Sequence, residues 1–328
     1  MKPSIVVTYN PREEEQIIYR DILRGLAPIS YFTDKSEAER IEIFEQADVV
    51  IAKSFSPKEI NQKEISCLKN TRFIQLIFAG ADNIPFELIS ENTTVASNVG
   101  AFAEQIAEHV LALTLALAKN LIPKNRLLQE SKFDGSGFNQ ELRGGVCGII
   151  GFGGNGKEIA KTMQAMGMQV FGINRSGTTE ASVEFIGSIN ELKTVLQVSN
   201  VIVLTTPLTR QTKDLIGKKE LELMKNDAIL INVGRGAVIN QKALYDHLMS
   251  HPNFRAGIDT WWSEPASHGE FKLDYPFFEL PNIIGSPHIA DHVPRSMPNA
   301  IQKALQNVKN FLLGKEIRGV VDRNDYLG

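Results

Sequence analysis

The chain has 328 residues, of which 43% are hydrophobic and 22% charged, with a formal net charge of −3 at pH 7. This length and apolar content suffice for two packed domains and exclude an intrinsically disordered chain. The slightly acidic balance, without a basic block, argues against nucleic acid as the main partner.

The first hundred residues alternate short apolar runs with longer amphipathic segments, as an α/β unit does. Strands are predicted at residues 5–8, 49–52 and 73–77, and helices at 12–24 and 36–46. The apolar run at the N-terminus is short and leads into polar residues, so it predicts a first strand and not a signal peptide. The unit is predicted to end near Asn98.

The most apolar helix candidate follows at residues 101–119. Its apolar core is only about half a bilayer span, and Glu104, Glu108 and His109 interrupt the approach to it. The pattern therefore predicts a buried helix that links two domains, with no membrane partner. His109 is interpreted as a structural residue.

Residues 146–156 read Val-Cys-Gly-Ile-Ile-Gly-Phe-Gly-Gly-Asn-Gly, an apolar strand pattern that stops in a G-x-G-x-x-G motif. Gly151 permits a tight turn, and Gly153 lets the backbone approach a pyrophosphate. Gly156 lets the following helix lie close to the strand, with its N-terminal N–H groups and positive dipole end facing the anion. Three glycines in six residues also describe ordinary turns, but the strand before and the helix after favour a dinucleotide site.

A second α/β unit surrounds this motif. Its strands are predicted at residues 146–150, 169–173, 201–204, 228–233 and 256–258, and its helices at 156–166, 189–197, 218–224 and 241–249. A further helix is predicted at residues 294–313.

Three polar residues follow apolar runs in this unit: Arg235, Glu264 and His288. Ligands of open α/β sheets lie beyond the carboxyl ends of strands, so we expect these side chains to converge beside the glycine loop. An arginine fork matches a carboxylate, a histidine transfers a proton near neutral pH, and a carboxylate can orient the ring. For any one of these residues in isolation, the favoured interpretation is structural: a surface arginine in a turn, a solvated glutamate or a histidine satisfied by its neighbours.

Further motifs join these residues in chain order. They are Ala79-Gly80-Ala81-Asp82, Asn98-Val99, Ala107-Glu108, Glu141-Leu142-Arg143-Gly144, Thr206-Pro207-Leu208-Thr209, Ile231-Asn232-Val233-Gly234-Arg235-Gly236, Gly257-Ile258-Asp259 with Glu264-Pro265, and Ser286-Pro287-His288-Ile289. With them, the chain resembles the D-isomer-specific 2-hydroxyacid dehydrogenase family over nearly its whole length. Members of that family include glyoxylate and hydroxypyruvate reductases, D-lactate dehydrogenase, phosphoglycerate dehydrogenase and formate dehydrogenase.

The resemblance implies an α/β fold of two Rossmann-like doubly wound domains. A flavodoxin-like substrate-binding domain would comprise residues 1–100 and 292–328, and a dinucleotide-binding domain of residues 101–291 would be inserted in it. The active site is expected in the cleft between them. The implied reaction is NAD(P)H-dependent reduction of a small 2-oxo acid to a D-2-hydroxy acid, or the reverse oxidation, with a glyoxylate or hydroxypyruvate type of substrate favoured.

The resemblance also implies the role of each site residue. His288 would protonate the 2-oxo group, Glu264 would hold its ring, and Arg235 would bind the substrate carboxylate and oxo oxygen. Backbone N–H groups of Ala79 and Gly80 would form a second carboxylate anchor. The expected cofactor-binding residues are Gly151, Gly153, Gly154, Asn155, Gly156, Asn174, Arg175, Ser176, Thr206, Pro207, Val233, Gly234 and Asp259, with Asp259 accepting from the nicotinamide carboxamide.

The end of the second strand of this unit bears on the choice of cofactor. NAD-selective sites carry an acidic residue about 20 residues beyond the glycine loop, where it accepts from the ribose 2′-OH. Here that position is Asn174, followed by Arg175 and Ser176, which suit a 2′-phosphate. NADP(H) is therefore the predicted preference, with NAD(H) possible. In the alternative, Asn174 bonds the NAD ribose and Arg175 stacks on the adenine.

Four residues depart from the family pattern or lack an assigned role. Trp261 and Trp262 stand where relatives often have smaller or single-ring residues, and they either form a bulky wall or pack an interdomain core, which is favoured. Asp291 stands where a small residue is common and either tunes the site or is solvated. Lys53 either reaches a substrate carboxylate or, as favoured, is a surface lysine.

The sequence bears on two alternative functions. An NAD(H)-sensing protein-binding module of the same fold is disfavoured because no extension beyond the two domains is seen. A formate dehydrogenase is disfavoured because those relatives pair the histidine with glutamine, where this chain has Glu264. No metal is expected, because Pro287 and Pro294 break the helix that would align His288 with His292.

The remaining expectations concern assembly and location. Residues 121–140 carry Phe133 and Phe138 in a polar, glycine-containing context, which with the family resemblance predicts a homodimer. Cys67 and Cys147 fall in different predicted domains, so a disulfide is not expected. A reducing, cytoplasmic compartment follows from that expectation.

Overall fold

The computed structural model describes residues 3–32 and 35–327. The chain divides into two compact units: unit 1 is Met1–Ala101 with Val293–Gly328, and unit 2 is Phe102–His292. Each unit contains one parallel sheet flanked by helices, so the predicted α/β fold with two doubly wound sheets is confirmed. The binding roles expected for the two domains stay a prediction.

The strands follow one another in chain order through both units. They are β1 Ile5–Val7, β2 Ile29–Tyr31, β3 Val49–Ala52, β4 Phe73–Leu76, β5 Thr94–Ala96, β6 Val146–Ile150, β7 Gln169–Ile173, β8 Phe185–Gly187, β9 Val201–Leu204, β10 Ile229–Asn232, β11 Arg255–Ile258 and β12 Ile283–Gly285. The strands β2, β5, β8 and β12 were not predicted as strands. Each has only three residues, which is too short to show a periodic pattern.

The helices alternate with these strands along most of the described chain. They are α1 Glu13–Leu23, α2 Glu37–Glu45, α3 Gln62–Ile65, α4 Ala103–Ala118, α5 Leu121–Gln129, α6 Gly154–Ala165, α7 Leu192–Val198, α8 Lys218–Leu223, α9 Gln241–Ser250, α10 Pro265–His268 and α11 Ser296–Leu312. The predicted helix at 189–197 is observed as a 3₁₀ turn, Ile189–Glu191, followed by α7.

Unit 1 orders its strands β2-β1-β3-β4-β5, all parallel, which is the flavodoxin-like order. The central strands β1, β3 and β4 are buried throughout, and the edge strand β2 is half-buried. Helix α11 returns to this unit and buries Ile301, Ala304, Leu305 and Val308 along one face. This i, i+3, i+4, i+7 spacing is that of an amphipathic helix packed on a core.

Unit 2 orders its seven strands β12-β11-β10-β9-β6-β7-β8, all parallel. The chain order reverses between β6 and β9, and such a switch point opens a crevice at the carboxyl ends of the strands. Helices α4 and α6 share one hydrophobic cluster with β6, β9 and β10. Helices α7, α8 and α9 share the other, so the central strands are buried on both faces.

Helix α4 belongs to the core of unit 2. Its buried residues include Ala107, Val110, Leu113 and Leu117, which pack against Ile149, Val203 and Ile231 of the sheet. Among the described residues, no single helix is long and apolar enough to cross a membrane. In the part of the chain that the structure describes, one pair of helices, α4 and α5 with a bend of 61° between them, reaches that length and composition when taken together.

Candidate active site

The glycine loop lies at the switch point, directly after β6. Gly151 has φ +104°, and a Cβ there would lie 2.7 Å from the backbone nitrogen of Thr206. A Cβ at Gly156 would lie 2.7 Å from the carbonyl oxygen of Gly151, so this glycine lets α6 approach the loop. A Cβ at Gly153 would meet no atom within 4 Å, and no side chain caps the first turn of α6. The residues therefore fit a bound pyrophosphate, with the amides of Gly154 and Asn155 at the helix N-terminus.

The loops after β9 and β10 meet the glycine loop. Thr205 Oγ1 donates to the carbonyl oxygen of Gly151 at 2.6 Å. A Cβ at Gly234 would lie 2.6 Å from the carbonyl oxygen of Thr206. The Thr206 hydroxyl is buried and makes no hydrogen bond within the described residues, as expected of a ligand-binding position. Pro207 is exposed beside it, and Val233 is buried before Gly234.

The loop after β7 also adjoins the glycine loop. The carbonyl oxygen of Ile173 accepts from the N–H groups of Gly151 and Phe152, at 2.9 and 2.8 Å. Asn174 uses its side chain within its own turn: Oδ1 accepts from the N–H of Gly177 at 2.7 Å, and Nδ2 donates to the Thr178 carbonyl at 2.8 Å.

Arg175 and Ser176 are exposed in that turn. Ser176 Oγ lies 3.3 Å from Asn174 Oδ1 and from the Thr178 carbonyl, so the hydroxyl also bonds within the turn. The loop after β7 thus places the guanidinium and the hydroxyl at the strand end where the sequence predicted them.

His288 and Glu264 form a hydrogen-bonded pair beyond β11 and β12. His288 Nδ1 lies 2.7 Å from Glu264 Oε2, and Glu264 Oε1 accepts from the N–H of Trp261 at 2.7 Å. The Glu264 side chain is 15% exposed and the His288 side chain 43%. The carboxylate is therefore fixed at both oxygens, while part of the imidazole surface remains accessible.

The pair favours the charged forms of both groups. Burial opposes protonation of His288, but the hydrogen bond and charge of Glu264 outweigh it and raise the pKa of His288 above its ordinary value. Burial likewise opposes ionisation of Glu264, but His288 and, less strongly, the Trp261 N–H and Arg235 lower its pKa. The site is therefore biased toward an imidazolium beside a carboxylate.

Arg235 follows β10 between two glycines. A Cβ at Gly236 would lie 2.2 Å from the carbonyl carbon of Trp261, so the loop after β10 touches the loop that carries Glu264. The Arg235 carbonyl accepts from Asn232 Nδ2 at 2.9 Å, and Nη1 donates to the Gly234 carbonyl at 2.8 Å. The structure thus brings Arg235, Glu264 and His288 to one end of the unit 2 sheet.

Asp259 anchors the segment that contains His288. Its buried carboxylate accepts from Ser286 Oγ at 2.6 Å and from the N–H groups of Ile289 and Ala290 at 3.0 and 3.2 Å. Its carbonyl oxygen accepts from the N–H of His288 at 2.8 Å. Burial opposes ionisation of Asp259, but hydrogen bonds from His109, Ser286 and Ile289 lower its pKa. The predicted contact with a nicotinamide stays a prediction.

Two residues of this network had no predicted role in the site. His109 Nε2 lies 2.8 Å from Ser286 Oγ and 3.5 Å from Asp259 Oδ1. For Ser286, the sequence held a signal: like the other site residues, it is a polar residue at the end of an apolar run. His109 gave no such signal, because it lies on a helix 177 positions before Ser286 in the chain.

The two tryptophans are packed within unit 2. A Cβ at Gly285 would lie 2.4 Å from the Trp261 ring, whose Nε1–H donates to the Ser286 carbonyl at 2.8 Å. Trp262 donates to the Ile239 carbonyl at 2.7 Å. Trp261 belongs to the hydrophobic cluster of unit 2, and Trp262 packs against it.

In unit 1, Ala79 and Gly80 lie in a bend after β4 and are half-buried. Lys53 follows the neighbouring strand β3, and its carbonyl oxygen accepts from the N–H of Phe78 at 3.0 Å. The Lys53 ammonium lies 4.7 Å from the centre of the Tyr9 ring, a cation–π contact. The substrate roles expected for Ala79 and Gly80 stay a prediction.

His292 Nε2 lies 3.7 Å from Asp291 Oδ1. Within residues 3–32 and 35–327, no group of three or more His, Cys, Asp or Glu side chains is placed to hold a metal ion.

The fold and the glycine loop define a doubly wound α/β protein of the dinucleotide-binding type. The family model described as "D-isomer specific 2-hydroxyacid dehydrogenase, NAD binding domain" matches residues 111–290, more than half of the chain. The chain belongs to the D-isomer specific 2-hydroxyacid dehydrogenase family, and the predicted resemblance is confirmed.

Individual relatives cover most of the chain. A hydroxypyruvate reductase of Thermotoga maritima is 30% identical over 76% of this chain and 80% of its own length. A D-3-phosphoglycerate dehydrogenase of Archaeoglobus fulgidus is 28% identical over 97% of this chain, which spans only 59% of the relative. A solved structure from Pyrobaculum aerophilum, provisionally assigned as a formate dehydrogenase, is 26% identical with a TM-score of 0.82 and covers 98% of this chain and 99% of its own.

Proposed function

We propose that this chain catalyses the reduction of a small 2-oxo acid to a D-2-hydroxy acid with a nicotinamide dinucleotide, and the reverse oxidation. The observation that carries the proposal is the 2.7 Å contact between His288 Nδ1 and Glu264 Oε2. The positive charge of Arg235 acts to lower the pKa of both groups. All three residues follow strands of the sheet whose switch point holds the glycine loop.

His288 is the proton donor in this proposal. When bound, the reduced nicotinamide supplies the hydride. Glu264 occupies Nδ1, so the proton available to the substrate is the one on Nε2. The carboxylate also stabilises the imidazolium, which keeps the acid charged until the 2-oxo oxygen takes its proton. In the oxidation, neutral His288 accepts the proton from the 2-hydroxyl group.

Arg235 binds the anionic substrate. A guanidinium offers parallel donors that match a carboxylate, and one of them can also polarise the 2-oxo oxygen. Its Nη1 already bonds the Gly234 carbonyl at 2.8 Å, which restricts the orientation of the planar group. The N–H groups of Ala79 and Gly80 are proposed as the second carboxylate anchor, since they follow a buried strand at its carboxyl end.

A substrate panel tests the proposal. Glyoxylate, hydroxypyruvate, pyruvate and bulkier 2-oxo acids are each assayed with NADPH and NADH, with formate and NAD(P)⁺ as a separate arm. The hydroxypyruvate reductase relative supports the smaller acids. Reduction of at least one acid by the parent protein, lost in His288→Ala, supports the proposal, and reduction of none contradicts it. Formate oxidation without 2-oxo acid reduction would favour the second candidate, which the name of the Pyrobaculum structure raises and Glu264 disfavours.

We propose NADP(H) as the preferred cofactor, with NAD(H) usable. Both polar atoms of the Asn174 side chain already bond within the turn, at 2.7 and 2.8 Å, so a ribose 2′-hydroxyl would compete with those bonds. The exposed guanidinium of Arg175 and hydroxyl of Ser176 offer charge-assisted and neutral donors to a 2′-phosphate.

A homodimer is the proposed assembly. Phe133 and Phe138 are 94% and 97% exposed, and α5 before them has no buried residue. Exposed aromatic and aliphatic side chains so close together are costly on a monomer, and a second copy would cover them. Sedimentation at micromolar concentration should show a dimer for the parent and a monomer for Phe133→Ser/Phe138→Ser. The exposed Met249→Ser is the control that leaves the dimer intact. A monomeric parent would contradict the assembly.

The cytoplasmic location expected from the sequence stays a prediction. Cys67 and Cys147 are both free and lie in different units. Burial raises the pKa of the Cys147 thiol to about 12, so this thiol is unreactive near neutral pH.

A further inference from the structure

We propose that His109 is a positioning residue of the proposed reaction, holding through Ser286 the segment that presents His288. The inference rests on the proposed function for its consequence, but its geometry lies entirely within unit 2. His109 does not contact His288 in this interpretation. It acts through a chain of hydrogen bonds that ends at the backbone N–H groups of Ile289 and Ala290, next to His288.

The direction of the first bond follows from the donor count. Ser286 Oγ donates to Asp259 Oδ1 at 2.6 Å, and a hydroxyl has only one hydrogen to donate. The 2.8 Å contact between His109 Nε2 and Ser286 Oγ must therefore be donated by the histidine. His109 thus carries its hydrogen on Nε2 and orients the serine hydroxyl toward the carboxylate.

Asp259 transmits this constraint to the backbone of the segment. Its carboxylate binds the N–H groups of Ile289 and Ala290, and its carbonyl binds the N–H of His288 at 2.8 Å. Ser286 before His288, and Ile289 and Ala290 after it, are thereby tied to one buried side chain. A shift of the Asp259 carboxylate would move these three residues together.

The backbone of His288 needs such a constraint. Its φ is +55°, in the left-handed region that residues with a Cβ disfavour. Such a conformation persists only where the surroundings fix it, and it is found repeatedly at functional sites. The side chain leaves this backbone in the direction that places Nδ1 at 2.7 Å from Glu264. A relaxed backbone would point the ring elsewhere.

His109 is well placed to hold the network because its helix is fixed in the core. The flanking residues Ala107 and Val110 are buried against the sheet, while the His109 side chain is 20% exposed. A residue that served only to fill space at this position would need no donor aimed at Ser286. The donor is the feature that the proposal assigns to function.

Three variants separate positioning from packing. His109→Leu removes the donor, Ser286→Ala removes the bridge, and His109→Gln keeps an N–H donor on the same helix. The exposed neighbour Glu108→Gln is the control. Melting temperature, kcat, KM and cofactor Kd are measured for each. The pKa of His288 is followed by NMR of the histidine ring protons, with the His288 resonance assigned from His288→Gln.

We expect His109→Leu and Ser286→Ala to lower kcat about tenfold or more, as small misplacements of catalytic groups do, with a smaller change in KM. The pKa of His288 should fall toward its ordinary value in both, because the Glu264 contact loosens. His109→Gln should recover most of kcat and of the His288 pKa. Glu108→Gln should leave both unchanged.

Folded His109→Leu and Ser286→Ala proteins with a parental kcat and a parental His288 pKa would overturn the proposal. So would a His109→Gln protein that is no better than His109→Leu. If His109→Leu does not fold, a Ser286→Ala protein with a parental kcat and His288 pKa, or a His109→Gln protein that is no better than Ser286→Ala, overturns the proposal. If the parent reduces no 2-oxo acid, the proposed function fails, whereas the His288 titration still decides the role of His109.

Discussion

Two groups of loops at the carboxyl edge of the unit 2 sheet are held in different ways. The loops after β10, β11 and β12 are tied to one another: Glu264 binds the backbone of its own loop and the ring of His288, and Asp259 binds the loop of His288. The loop after β7 bonds mainly within itself, through Asn174 and Ser176. A substitution in the first region should therefore disturb several groups at once, whereas one in the second should change only what that loop binds.

The largest effect is expected for His288→Ala. Removal of a positioned general acid costs on the order of a hundredfold or more in rate, so kcat should fall by at least that factor. Cofactor affinity, measured by fluorescence titration, should stay within about twofold, because the glycine loop is untouched. Near-parental turnover would remove His288 from the chemistry.

Arg235→Lys should follow in size. An ammonium cannot reproduce the planar pair of donors, so we expect a loss of kcat/KM on the order of tenfold to a hundredfold. Since the substitution keeps the positive charge, a loss would show that geometry matters more than charge. Catalytic efficiency within error of the parent's would exclude Arg235 from substrate binding.

Glu264→Gln should move the pH profile of the reduction. The reaction needs protonated His288, so its rate is full at low pH and falls as pH rises through the pKa of that residue, which Glu264 raises. In Glu264→Gln the fall should come at lower pH, and kcat should drop about tenfold. The exposed Glu279→Gln serves as the control. A pH profile that does not move would show that Glu264 does not set the pKa of the proton donor.

The smallest effect, confined to one cofactor, is expected for Arg175→Ala. The ratio of kcat/KM with NADPH to that with NADH should fall about tenfold, or about 1.4 kcal/mol, with little change for NADH. Lys219→Ala removes the same charge from an exposed position on α8 and should leave the ratio unchanged. A parent that prefers NADH, or a ratio that Arg175→Ala does not alter, would contradict the assignment.

The difference between the two regions also explains what the sequence could predict. Gly151, Gly156 and the polar residues after β10 to β12 follow apolar runs, and strand ends of a parallel sheet meet at one edge. The pattern therefore predicted both the fold and the placement of Arg235, Glu264 and His288 in one region. The strands β2, β5, β8 and β12 have three residues each, too few to show a period, and were not predicted, whereas the equally short β1 was.

Contacts between distant segments could not be predicted in this way. His109 was interpreted as structural, and its 2.8 Å bond to Ser286 joins α4 to the end of β12. The positive φ of His288 gave no signal in the sequence either, because it depends on hydrogen bonds to Asp259. Such features arise from tertiary packing, whereas motifs record only neighbours along the chain.

The most direct measurement is the single-turnover rate of 2-oxo acid reduction across pH, with the parent and His288→Ala compared at saturating cofactor. For the parent, we predict a rate that falls as pH rises through a single ionisation whose pKa is raised above the ordinary value of histidine. For His288→Ala, we predict a rate lower on the order of a hundredfold and without that ionisation. The same pH-dependent fall in both proteins would contradict the assignment of His288 as the proton donor.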